Sequence, residues 1–116
     1  MPATVYNRTQ AHEIIALKEL ISLFIETKDV DYKDEHTFIN EKMRAIMNTI
    51  AIRKFGNDFH GIWSKVYDRF NRLTGRDIRK EFENEPTHKY ENRLDYTISK
   101  YKKELIQAMA LVILEN

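Results

Sequence analysis

Cysteine is absent, proline occurs twice and glycine three times in 116 residues. Without a thiol the chain has no disulfide, no thiolate metal site and no cysteine nucleophile. That composition suits a reducing compartment, and the cytoplasm is the expected location. So few tight-turn residues argue against a turn-rich β sandwich, and the abundance of Ala, Leu, Ile, Lys, Arg and Glu favours helix. Long apolar runs are missing too. The longest, AMALVIL at 108–114, falls far short of the ~20 residues a membrane span requires. The opening MPATVYNRTQ lacks the basic patch and apolar stretch of a secretory leader. No membrane partner is therefore expected. A surplus of one sign of charge is also lacking, since the formal net charge is +1, which leaves little non-specific attraction for polyanions.

What is present is enough for one core. With 42% hydrophobic and 32% charged residues, the chain lies outside the range of disordered sequences, and its length fits a single domain. The near-zero total hides a local imbalance. Residues 42–80 carry ten Lys or Arg against Asp58, Asp68 and Asp77, while 26–41 and 81–95 lean acidic.

Apolar spacing places the helices. Ile14, Leu17, Ile21 and Phe24, widened by Ile15, Leu20 and Ile25, predict an amphipathic helix over 8–27, with Asn7 or Thr9 able to cap it. The charged segment KDVDYKDE at 28–35 reads as an exposed loop. It fails as a calcium loop, because Lys33, Asp34 and Asn40 stand where a ligand, the turn glycine and the bidentate Glu belong. Ile39, Met43, Ile46 and Ile50 predict a second helix from Thr37 to Phe55, closed by Gly56. Phe59, Ile62, Trp63, Val66, Tyr67, Phe70 and Leu73 predict a third, stopping near Gly75. A short connecting helix is expected near 76–84, around Ile78 and Phe82. The pattern then resumes from Thr87 through Tyr90, Leu94, Ile98, Tyr101, Leu105, Met109 and Val112 to the C-terminal end. The fold class expected is all-α, a compact bundle of four main helices plus the connecting one. Because the last turns are apolar nearly all round, Leu105, Met109, Val112 and Ile113 are expected to be covered, and are read as the centre of a homodimer contact.

No catalytic constellation is visible. There is no Gly-rich phosphate loop, no HExxH and no GxSxG, and His12, His36, His60 and His88 are scattered. Neither a metal nor another cofactor is expected, and the reading is of a protein that is not an enzyme. The informative stretch is IWSKVYDRFNRLTGRD at 62–77. At 100° per residue, Lys65, Arg69, Arg72 and Arg76 share one flank of a helix and Ile62, Val66, Phe70 and Leu73 its neighbour, while Trp63 and Tyr67 fall on the far edge of the apolar stripe. Large amphipathic rings in that position suit an interface. Trp63, Lys65, Tyr67, Arg69, Arg72 and Arg76 are therefore the candidate partner-binding residues, facing an acidic protein surface or, as the alternative, DNA. The DNA reading has the outline of a helix-turn-helix, with Asn71 also outward, but Gly61 and Ile62 occupy the turn that would enter the groove.

The run INEKMRAIMNTIAIRKFGNDFHGIWSKVYDRFNRLTGRD at 39–77, with Trp63, Tyr67, Phe70 and Gly75 in the spacing W/Y-x-x-x-Y-x-x-F followed by glycine, resembles the C-terminal domain carried by many phage antirepressors and prophage regulatory proteins. YENRLDYTI at 90–98 looks like the closing helix of that domain, through Tyr90, Leu94, Tyr96 and Ile98. In place of the family's Tyr-Lys-x-Ile-Pro segment this chain has RDIRKEFENEP. The resemblance implies a small regulator that acts by protein association, with a repressor as the kind of partner, and it carries over no active site.

Overall fold

The computed structural model describes residues 3–25, 32–87, 89–90 and 92–115. Five helices follow one another: α1 Ala3–Ile25, α2 Tyr32–Lys54, α3 Phe59–Thr74, α4 Ile78–Glu83 and α5 Arg93–Glu115. Among the described residues there is no strand, so the chain is an all-α bundle with one short connecting helix. No described helix is long and apolar enough to cross a membrane.

The order of packing follows from where the apolar positions lie. α5 touches each of the other four helices, and ten of its side chains are buried, Leu94 near its start and Ile113 near its end among them. α2 faces it with Ile39, Met43, Met47 and Ile50, α3 with Ile62, Val66 and Phe70, and α1 with Ala16, Leu20 and Leu23, all inside one continuous core. Lys54 ties three helices together: its Nζ pairs with Glu13 of α1 and lies 3.3 Å from the Ile113 carbonyl of α5.

The boundaries of α3 are set by its own residues. Asp58 accepts a hydrogen bond from the Gly61 amide at 2.8 Å, capping the first turn. Gly75 takes φ 71°, and its amide donates to the Asn71 carbonyl at 2.9 Å, a left-handed stop that a Cβ would strain. Between α2 and α3, Gly56 (φ 56°) and Asn57 (φ 67°) are both left-handed, which turns the chain within four residues.

Several sequence expectations shift. α2 begins at Tyr32, five residues before the expected cap Thr37, and no Gly or Pro interrupts 32–36. Half of the expected loop is thus helix; residues 28–31 lie outside the described residues. α1 likewise begins at Ala3, so Asn7 and Thr9 are inside it rather than at its cap. α5 begins at Arg93 rather than Thr87, with the Asn92 side chain accepting from the Asp95 amide at 2.9 Å. It is also bent, at Tyr101 (φ −140°, ψ 42°). There the Tyr101 hydroxyl donates to Glu81 at 2.8 Å, the Arg76 guanidinium lies 4.6 Å from its ring centre, and the Phe70 ring stands 5.8 Å away.

The largest correction concerns the last turns of α5. Leu105, Met109 and Ile113 are fully buried and Val112 is 3% exposed, all within this one chain. The bundle itself covers these four, though not Leu114 (60% exposed), so they are not available as the surface of a homodimer contact. Phe59, expected inside, is 42% exposed, and Leu73 is 44% exposed. Both sit near the ends of α3.

Candidate functional site: a cleft edged by two arginines

α3 sorts its side chains into three sectors, and the structure gives each a different fate. The central sector of Ile62, Val66 and Phe70 is fully buried. The basic flank is largely turned to contacts within the chain. Arg69 pairs with Glu115 at the end of α5. Arg72 pairs with Asp68 at 3.1 Å, and Arg76 with Glu81 at 3.2 Å. Lys65 lies over the Phe55 ring, 5.8 Å from its centre. Three of the four stripe cations therefore have a carboxylate partner of their own.

Trp63 and Tyr67, on the opposite flank, are half-buried, with ring centres 6.0 Å apart and planes tilted by 36°. They form one wall of an open cleft of about 310 Å³, completed by Arg44 of α2 and by Asn92, Arg93 and Leu94 at the start of α5. The six predicted partner-binding residues thus divide. The structure brings Trp63 and Tyr67 together in the cleft and leaves Lys65, Arg69 and Arg72 on the other side of the helix, while Arg76 falls past Gly75, outside α3, over the Tyr101 ring.

The cations that do meet the rings are Arg44 and Arg93, which sequence reasoning missed. The Arg93 guanidinium lies 4.3 Å from the Tyr67 ring centre, within cation–π range of the phenol. Arg44 is positioned through Nε, which donates to Asn40 Oδ1 at 2.5 Å, while Asn40 Nδ2 donates to Asp95 Oδ1 at 2.5 Å. Asn40 is buried, so this amide is a fixed spacer that holds an arginine on one side and a carboxylate on the other. Asn40 and Arg44 are four apart on one helix, a pairing legible in the sequence. Arg93 is not local to Tyr67, and only the packing of α5 on α3 brings them together. Neither arginine forms an ion pair with a carboxylate among the described residues.

Burial raises the Tyr67 pKa above the usual 10.0, against the pull of the Arg93 and Arg44 charges; Asp95 adds to the rise. The hydroxyl is thus a neutral donor at physiological pH. Tyr96 and Tyr101 are raised as well, first by burial and then by Glu81. A phenol whose pKa is higher folded than unfolded stabilises the fold fully below the unfolded value, and the contribution is lost as pH climbs through the folded one. Stability should accordingly begin to fall above pH 10.0. Thermal melts at rising pH check this, and Tyr67→Phe should flatten the slope.

No group of three His, Cys, Asp or Glu among the described residues is placed to hold a metal ion. No protein-family model, curated protein or solved structure matches the chain.

Proposed function

We propose that this chain is a non-enzymatic binding protein that acts by association with another protein in the cytoplasm, in the manner of the phage and prophage regulators its sequence resembles, with a repressor as the first candidate partner. The observation that carries the reading is the cleft: two large rings, Trp63 and Tyr67, stand half-buried beside Arg44 and Arg93, neither of which is in a direct ion pair among the described residues. Tyr, Trp and Arg are the residue types that dominate interface energetics when they are held in a pocket. Direct DNA binding through the basic flank of α3 ranks second. A duplex approaching Arg69, Arg72 and Arg76 also meets Glu115, Asp68 and Glu81, and the flank offers little net charge to phosphates.

The test is affinity capture from the cell that carries the gene, with the wild-type chain, Arg93→Glu and Arg72→Glu immobilised in parallel and bound proteins identified by mass. The expected result is one partner held by wild type and Arg72→Glu and lost with Arg93→Glu. A partner lost only with Arg72→Glu moves the interface to the basic flank. A shift of random duplex DNA that collapses steeply with salt selects the DNA reading instead.

A further inference from the structure

We propose that the cleft between α2, α3 and the start of α5 is a receptor for a single carboxylate, presented by a partner protein as an acidic residue beside a large apolar one. This rests on the association reading above and names the chemistry that the cleft recognises.

Three features on the cleft wall select that chemistry. The first is charge. Arg44 and Arg93 contribute two positive charges, and Asp95, bonded through Asn40 to the same network, returns one negative. The local balance is +1, which matches a monoanionic carboxylate and leaves one charge of a dianionic phosphate unneutralised. The second is donor geometry. Arg44 has committed its Nε to Asn40 but keeps its terminal nitrogens, and the Arg93 guanidinium, 4.3 Å from the Tyr67 ring centre, has no ion-pair partner among the described residues. Planar guanidinium edges suit the two oxygens of a carboxylate. The third is size and lining. About 310 Å³ is at the lower end of the ~300–1,000 Å³ of ligand pockets, enough for one side chain and its neighbour but not for an extended segment. Trp63 supplies an apolar surface for that neighbour.

The chain contains one tryptophan, and it lines this cleft, so intrinsic tryptophan emission reports on the site alone. The full-length chain is titrated with two blocked dipeptides, acetyl-Phe-Asp-amide and acetyl-Phe-Asn-amide, which differ in one charge, and with acetyl-Phe-phosphoserine-amide. The expected result is a saturable emission change with the Asp peptide, binding at least tenfold weaker with the Asn peptide, and no gain from phosphoserine. Arg44→Gln and Arg93→Gln, each verified as folded by circular dichroism, should each weaken the Asp peptide at least fivefold. Arg72→Gln, on the far flank, should leave it unchanged. Because Arg44 is exposed on α2, its replacement keeps the test decisive should Arg93→Gln disturb Tyr67. Equal binding of the Asp and Asn peptides, indifference to both arginine variants, or tenfold tighter binding of phosphoserine overturns the proposal. If no peptide binds while the captured partner is still lost with Arg93→Glu, the carboxylate assignment fails and the association reading survives; if capture does not depend on Arg93, the association through this cleft fails first.

Discussion

Val112→Asp should leave the chain unfolded at room temperature, whereas Leu114→Asp, two residues on, should change its stability by less than about 0.5 kcal/mol. Val112 is 3% exposed and Leu114 60% exposed in the same helix. A carboxylate at 112 enters a core built from α5 and its neighbours. The nearby amine, Lys54, already serves Glu13 and the Ile113 carbonyl. An uncompensated buried charge costs several kcal/mol, and the whole fold of a domain this size is held by only ~5–15 kcal/mol. The measurement is far-ultraviolet circular dichroism with a thermal melt for both variants, alongside sedimentation of the wild type. Loss of the cooperative melt in Val112→Asp alone is the expected outcome. A folded, fully helical Val112→Asp whose only change is in sedimentation would reinstate the homodimer contact at Leu105, Met109, Val112 and Ile113.

That distinction shows where sequence reading succeeded and where it ran out. Periodicity identifies a buried face because a helix has one geometry, so Ile62, Val66 and Phe70, or Ile39, Met43 and Ile50, declare themselves without any partner in view. An all-apolar stretch such as 108–114 carries no face, only the statement that something covers it. Whether the cover is the same chain or a second copy depends on how many helices reach it, which is a property of packing. Here Ala108, Met109, Val112 and Ile113 are buried within the one chain, while Leu114 stays 60% exposed.

The site divides on the same line. The far-edge position of Trp63 and Tyr67 follows from 100° steps along one helix. The fate of the basic stripe does not, because Glu115 and Glu81 come from other helices; only Asp68, four residues before Arg72, was a visible partner. Arg93 was hidden for a further reason. The resumed pattern suggested a helix from Thr87, which would have carried Arg93 as one of many surface cations. Asn92 instead caps a helix that begins at Arg93, and a residue in a first turn projects toward whatever the helix N-terminus faces, here the ring of Tyr67. The bend at Tyr101 was equally silent, since no Pro or Gly marks it. It is associated with contacts from α3, α4 and the segment between them rather than with a local breaker.

Phe70→Ala should be the most damaging truncation in α3, lowering stability by about 3–5 kcal/mol. With ~4 °C per kcal/mol for a domain of this length, the melting temperature should fall by roughly 12–20 °C. Phe70 is fully buried, and its ring lies 5.8 Å from that of Tyr101 at the bend of α5. Removing it therefore empties the joint on which α3 and α5 are aligned. Phe70→Leu retains most of the volume and should cost about 1–2 kcal/mol. The consequence extends to the cleft, because Trp63 lies two helical turns before Phe70 on the same rod, while Asn92, Arg93 and Leu94 belong to the rod on the other side of the joint. Phe70→Ala should thus alter tryptophan emission under conditions where circular dichroism still reports a folded chain, and Phe70→Leu should not. If Phe70→Ala melts within a few degrees of wild type, or lowers stability as expected while leaving Trp63 emission untouched, then the cleft walls are held together by the contact of Arg93 with Tyr67 and not by the buried joint beneath them.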